Sequence, residues 1–176
     1  GSSVAFVQQL DGLGLELTKR YSIEAVPADQ RDNVIFPGYH VRLEVELRNI
    51  GDTPHRVGYR LDGPTGLPLE GWWYAHKISQ RWFSAAGLRD VAVRFAGSQE
   101  VQIDCSQIAK GNVEPMGQGT SLAYGGVDGQ YFSAVLLPLK KTLEEVWFET
   151  TEAITVGPPL DERVPVTFTN VTTRMM

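Results

Sequence analysis

The sequence predicts a mainly β protein built from antiparallel strands, and three observations lead to this prediction. Val, Thr, Tyr, Phe and Trp recur in short runs, and these residue types favour strands. The 18 glycines and ten prolines often stand between those runs, where they mark turns. Several runs alternate apolar and polar residues, as half-buried antiparallel strands do. These patterns predict a single-domain antiparallel β-sandwich spanning residues 1–176, with little helix.

The first clear strand pattern runs from Gly14 to Ile23, where apolar and polar side chains alternate. Lys19 falls in the apolar phase of this run, so its register stays open. The core candidates are Leu15, Leu17, Tyr21 and Ile23.

The strongest alternation in the chain covers residues Tyr39 to Asn49 and predicts a half-buried antiparallel strand. A turn follows at residues 49–54, and Arg56 to Leu61 is predicted to return as the hairpin partner of this strand. The predicted inner face consists of Tyr39, Val41, Leu43, Val45 and Leu47.

An aromatic loop follows, in which four Gly and Pro breakers within residues 62–68 precede three adjacent aromatic residues. Such a loop is a candidate surface for a partner or ligand, but a plug that packs over one end of the sandwich is favoured, because Trp is highly buried on average. The candidate surface residues are Leu67, Leu69, Trp72, Trp73 and Tyr74.

The later part of the chain contains further short apolar runs, with a polar loop from Ile108 to Gln118. Cys105 is the single cysteine, and we expect it to be a small buried side chain at the end of a strand. The predicted strands are Val91–Phe95, Val101–Cys105, Leu143–Thr151, Ile154–Val156 and Val164–Val171.

A hairpin is predicted around Asp128-Gly129, because glycines and this turn pair precede an aromatic and aliphatic run. The run continues until Pro138, which cannot donate a ladder hydrogen bond and therefore ends the strand. The strand is expected to bury at least one face.

The composition and the motifs exclude several classes of function. A net charge of −5 argues against a nucleic-acid partner, because phosphate contacts need a basic surface. His40, His55 and His76 have no metal-site spacing, and Cys105 has no second cysteine. No nucleophile elbow or phosphate-binding loop is present. The sequence therefore predicts no catalytic residue, no metal site and no cofactor.

No apolar run approaches the about 20 residues that a bilayer-spanning helix needs, and residues 1–20 do not resemble a signal peptide. Residues 1–3 are interpreted as a cloning scar, and the strand pattern that begins directly after them is expected of a fragment of a longer protein. Any role at a membrane is expected to depend on segments outside this chain.

Three segments resemble the large periplasmic domain of bacterial YidC membrane-protein insertases. The hairpin region is similar to the hallmark strand of that domain through Gly126, Gln130, Tyr131, Phe132 and Pro138. Two earlier segments match in the family's order, namely a Gly-Leu strand ending in Lys-Arg-Tyr at residues 14–21 and a Tyr-initiated strand closed by Asn-x-Gly-x-x-Pro at residues 39–54.

The resemblance implies a β-supersandwich of the galactose-mutarotase type, of which this chain would cover the second half. It also implies a non-catalytic domain on the periplasmic side of the bacterial inner membrane, anchored by segments outside this chain. Its expected role is a scaffold or docking surface for translocon accessory proteins or nascent membrane proteins.

Two alternatives belong to other classes. A carbohydrate-binding β-sandwich module is suggested by the loop around Trp72 and Trp73, since sugar faces stack on aromatic rings. A mutarotase-like enzyme would need a His and a carboxylate converging on a sugar, and His76 with Glu70 is the one local grouping of this kind. Packing or surface roles for these two side chains are favoured.

Overall fold

The computed structural model describes residues 1–36, 38, 40–68, 89–129, 131–142, 144–158 and 168–176. The described chain is mainly β and forms three antiparallel sheets, which confirms the predicted fold class. It divides into two compact units, unit 1 from Gly1 to Val57 and unit 2 from Gly58 to Met176. The prediction of one domain, and of a galactose-mutarotase type of sandwich, stays a prediction.

Unit 1 contains a three-stranded antiparallel sheet in the order β1–β2–β3. β1 spans Ser2–Leu10, β2 spans Leu15–Ile23 and β3 spans Arg42–Asn49. A 3-10 turn links β1 to β2 and ends at Gly14, whose φ of 62° lies in the left-handed region that favours glycine. A second 3-10 turn, Ala28–Gln30, lies between β2 and β3.

The register of unit 1 gives its sheet one apolar and one polar face. Directly opposite residues share a face, and Leu17 lies opposite Leu47 while Tyr21 lies between Val4 and Leu43. Lys19 sits on this apolar face, opposite Phe6 and Val45, which settles the register that the sequence left open. Ion pairs cross the polar face, with N–O distances of 2.7 Å for Arg48–Glu16 and 3.7 Å for Arg20–Glu44.

The predicted core of β2 is only partly correct. Leu15 is buried and Leu17 and Tyr21 are half-buried, but Ile23 retains 51% of its surface. Ile23 pairs with Ser2 at the end of the sheet, where few neighbours cover it. The predicted inner face of β3 is also largely open, since Val41, Val45 and Leu47 are exposed and Leu43 is half-buried. Tyr39 lies outside the described residues.

Unit 2 contains two antiparallel sheets, with strand orders β4–β10–β9 and β6–β5–β7–β8. One short helix, α1, follows β6 in the described part of this unit and spans Cys105–Ala109. The strands are β4 (Leu61–Asp62), β5 (Asp90–Phe95), β6 (Val101–Ile103), β7 (Leu122–Asp128), β8 (Ser133–Leu136), β9 (Thr151–Val156) and β10 (Asn170–Met175).

The core of unit 2 draws side chains from both of its sheets, as expected of a β-sandwich. Val91, Val93 and Val127 come from one sheet, and Val171 and Met175 come from β10 in the other. Helix α1 adds Cys105 and Ile108 to this cluster. Each of the five strand side chains retains at most 1% of its surface, so the two sheets bury their facing surfaces almost completely.

Outside the predicted hairpin, four predictions about strands need correction. Residues 56–60 form no strand, and Leu61–Asp62 pairs with β10 rather than with β3, because the Leu61 side chain packs against the core of unit 2. Cys105 begins α1 instead of ending a strand, because the Asp104 carboxylate caps the helix by accepting from the backbone N–H of Ser106 and Gln107.

The two remaining corrections concern strand bounds near the end of the chain. In the run predicted from Leu143 to Thr151, residues 144–150 are irregular and the strand begins only at Thr151. The strand predicted from Val164 to Val171 is observed as β10, which begins at Asn170 and continues to Met175. Residues 164–167 of that prediction lie outside the described residues.

Candidate functional site

The aromatic loop that the sequence offers as a surface lies mostly outside the described residues. This holds for Leu69, Trp72, Trp73 and Tyr74, and also for Glu70 and His76. Leu67 is described, and its side chain is half-buried against the core of unit 2. Its carbonyl oxygen accepts a hydrogen bond from Nη1 of Arg89 at 3.1 Å. Leu67 is therefore held by packing, and the surface role of the other four residues stays a prediction.

The predicted hairpin is present as β7 and β8, which pair over four residues each. Its turn is closed by the backbone N–H of Gly129, which donates to the carbonyl oxygen of Phe132 at 2.8 Å. Tyr131 and Phe132 lie in this turn and not in the strand, which begins at Ser133. Gln130 lies outside the described residues.

Gly126 has a physical role in this hairpin. It lies opposite Val135, and a Cβ built on it would stand 2.5 Å from the Cα of Val135 and closer still to the carbonyl oxygen of Ala134. Real Cβ atoms do not approach other atoms this closely. The neighbouring Gly125 has ordinary room, since its nearest contact would be Cγ2 of Thr173 at 3.4 Å. Glycine at position 126 therefore lets β8 approach β7.

An apolar surface runs along the hairpin beside its outer strand. Four side chains form this surface, which we call the hairpin patch: Tyr131, 68% exposed, Phe132, 56%, Leu137, 54%, and Leu139, 67%. The nine residues from 131 to 139 include no charged side chain. Among the described strands β8 pairs with β7 alone, so it forms an edge of its sheet. An uncharged edge strand flanked by exposed apolar side chains is a surface on which another extended chain can pair.

The hairpin patch is anchored at both ends. The turn bond between Gly129 and Phe132 holds its beginning. Directly after Leu139, the Lys140 ammonium group donates hydrogen bonds to the hydroxyl of Ser121 and the carbonyl oxygen of Leu122. Lys140 is half-buried, and the desolvation of its ammonium group lowers its pKa. The patch is thus presented on a held segment, which reduces the entropy lost on binding.

A polar cluster near α1 was not found by sequence reasoning. The buried guanidinium of Arg89 donates to the carbonyl oxygens of Leu67, at 3.1 Å, and Phe168, at 2.6 Å, and to Oδ1 of Asn170. Its partners lie about 20 and 80 residues away, and no local pattern indicates such pairs. By binding three acceptors, the buried guanidinium of Arg89 links the backbone near Leu67 to residues 168–170, and its role is structural.

Burial changes the pKa values of two ionisable groups that lie near Arg89. Desolvation raises the pKa of the Asp90 carboxyl, and it raises the pKa of the Cys105 thiol, which is fully buried. Asp104 adds to the second shift through its negative charge. A thiol that is both inaccessible and hard to ionise is a poor nucleophile. The prediction that Cys105 is a buried structural side chain is confirmed, although the residue lies in α1.

Within the described ranges, no group of three or more His, Cys, Asp and Glu side chains is placed to hold a metal ion. His40 and His55 are both exposed, and Nε2 of His55 lies 3.4 Å from the hydroxyl of Thr53. No helix in the described part of the chain is both long enough and apolar enough to span a bilayer.

Similarity to known proteins was sought at three levels. Comparison of the chain with protein-family models, with curated proteins and with solved structures finds no match. The resemblance carried by Gly126, Tyr131, Phe132 and Pro138 therefore stays an inference from residues alone.

Proposed function

We propose that this chain is a non-catalytic docking domain that binds extended, apolar protein segments along the β7–β8 hairpin. The observation that supports the proposal is the hairpin patch, with its four exposed apolar side chains beside β8, which is an edge strand among the described strands. Strand addition to such an edge supplies main-chain hydrogen bonds, and the flanking side chains select the partner's chemistry. An uncharged segment is the expected partner, because residues 131–139 offer no charge to neutralise.

We further propose, from the sequence resemblance, that the domain belongs to a YidC-type insertase on the periplasmic side of the bacterial inner membrane. Nascent membrane proteins are rich in uncharged apolar segments, so the chemistry of the hairpin patch fits them. Translocon accessory proteins are the second class of partner that the resemblance suggests. The docking proposal rests on the geometry of unit 2 and holds independently of this family assignment.

Binding is tested with a fluorescently labelled 12-residue peptide of alternating Val and Thr, titrated with the chain and followed by anisotropy. The double variant Phe132→Ser/Leu139→Ser removes two exposed apolar side chains of the patch. Each contributes about 1 kcal/mol if its remaining exposed area is buried on binding, so affinity should fall about 30-fold.

The control is Val34→Ser, which removes an apolar side chain that is 92% exposed in unit 1. It should leave the affinity unchanged. A second peptide carrying Lys at every other position should bind poorly to every form of the protein. Equal affinity of the patch variant and the unmodified chain would refute the docking proposal.

The family assignment is tested separately, by determining the coding sequence on both sides of this chain. A YidC-type protein is expected to show one anchor helix upstream and about five bilayer-spanning segments downstream, each of about 20 residues. Flanking soluble modules would refute the assignment.

A further inference from the structure

The free edge of unit 1 has a composition that is unusual for an edge strand. β1 pairs with β2 at nine consecutive positions, and among the described strands it pairs with no other. Its sequence, Ser-Ser-Val-Ala-Phe-Val-Gln-Gln-Leu, contains no charged residue, no proline and no glycine. Edge strands of this length usually carry charges, prolines or bulges that prevent pairing with another chain.

The other free surfaces of the same sheet carry such protection. The opposite edge, β3, has a charged residue at every second position: Arg42, Glu44, Glu46 and Arg48. The apolar face carries Lys19 at its centre, between Phe6 and Val45, so stacking two such faces would bring two ammonium groups into an apolar layer. Within the described ranges, β1 is therefore the surface of this sheet that is left open to association.

The sequence of β1 is compatible with pairing to itself. In an antiparallel arrangement centred on Phe6, that residue faces Phe6 of a second copy, Val4 faces Gln8 and Ala5 faces Val7. Residues of one face stay on that face, and no charge meets another charge. The same operation on β3, centred on Val45, would oppose Arg42 to Arg48 and Glu44 to Glu46, with like charges at each contact.

We propose that β1 pairs antiparallel with β1 of a second copy of this chain and forms a two-fold symmetric dimer. Three strands from each copy then form one continuous sheet, with their apolar faces on the same side. A second copy is the favoured occupant because a two-fold pairing closes after two molecules and leaves only the charged β3 edges outside. A nine-residue strand is about 30 Å long, and its edge is smaller than a standard interface. The expected dissociation constant is therefore about micromolar.

The variant that tests this interface is Ala5→Glu/Val7→Glu. In the proposed pairing each new carboxylate faces another one across the two-fold axis, so both contacts become repulsive. Within one molecule the change is tolerated, because position 5 lies opposite Arg20, position 7 lies opposite Thr18, and both positions are exposed. The matched control is Val34→Glu/Ile35→Glu, which makes the same charge change at two highly exposed positions of the same unit.

Sedimentation velocity over a range of about 1 to 200 µM measures the association state of each form. The unmodified chain and the control should pass from monomer to dimer, and the β1 variant should weaken dimerisation at least about tenfold. Hydrogen exchange should show concentration-dependent protection of those β1 amides that do not bond to β2.

Three results would overturn the proposal. They are a monomer throughout this range, a dimer that the β1 variant leaves unchanged, and continued growth beyond the dimer. Circular dichroism of the β1 variant checks that its strand content is preserved. The hairpin-patch variant Phe132→Ser/Leu139→Ser should dimerise normally, which separates this proposal from the docking function.

Discussion

Replacing Gly126 by alanine should separate β8 from β7. The added Cβ would stand 2.5 Å from the Cα of Val135, and backbone atoms cannot rotate away as the end of a side chain can. Either β8 moves outwards and loses its pairing, or β7 distorts within a sheet whose facing side chains are fully packed. Both routes lower the free energy of unfolding of unit 2.

The size of the effect follows from the ladder between the two strands. Four residue pairs face each other, and alternate pairs exchange two bonds, so roughly four backbone hydrogen bonds are at stake. At about 1 kcal/mol net for each bond, complete loss of β8 costs about 4 kcal/mol. Distortion without loss of the strand costs about 1–3 kcal/mol, as overpacking does in other cores. We therefore expect a loss of about 1 to 4 kcal/mol, with the upper end corresponding to detachment of β8.

Urea unfolding followed by tryptophan fluorescence gives the free energy, and hydrogen exchange at residues 133–136 reports whether β8 has detached. The control is Gly125→Ala, in the same strand, where the new methyl group makes an ordinary contact with Thr173 at 3.4 Å. This variant should stay within about 0.5 kcal/mol of the unmodified protein. A Gly126→Ala protein as stable as the Gly125→Ala protein would refute the argument from close approach.

Three further predictions concern ionisable groups. Cys105 is fully buried, and burial raises the pKa of its thiol. It should therefore react with a thiol reagent at pH 8 only as fast as the protein unfolds. Labelling within seconds would contradict this prediction. The hydrogen bond from Arg174 holds the pKa of Asp62 below its ordinary value, so Asp62→Asn should cost about 0.5 kcal/mol in urea unfolding at pH 7. The effect is small because both side chains remain partly exposed to solvent. That difference should vanish as the pH falls through the pKa of Asp62 in the folded state, and a difference that persists at the lowest pH would contradict it. Arg89→Met should lower the free energy of unfolding by about 2–4 kcal/mol, because it removes the hydrogen bonds that Arg89 donates to Asn170 and to two carbonyl groups. An unchanged melting temperature would contradict this prediction.

The elements that sequence reasoning predicted well are those specified locally. β2 and β3 follow from the alternation of apolar and polar residues, which Lys19 interrupts in β2, and the β7–β8 hairpin follows from its glycine and Asp-Gly turn signals. These signals act between residues close in sequence, so they are readable without knowledge of the partner strand.

What the sequence did not predict depends on contacts between distant residues. Thr172 and Thr173 are polar and adjacent, yet both are fully buried, because β10 has a neighbour on each side and lies against the other sheet. Conversely, Leu137 and Leu139 look like core residues but are exposed. Pro138 between them was the available signal, since a residue that ends a strand also releases its neighbours from the packed layer.

The central position of β10 has a consequence for synthesis of the chain. The sheet of unit 1 joins strands that follow one another, so it can form once Asn49 has left the ribosome. β4 instead pairs with β10, and Arg174, the partner of Asp62, is synthesised 112 residues after it. At about 5–20 residues per second, this interval lasts about 6 to 22 s. During that time β4 lacks its partner strand, and β9 lacks the same partner from its own synthesis until β10 follows, so the nascent chain exposes unpaired edges that invite misassembly or call for a chaperone.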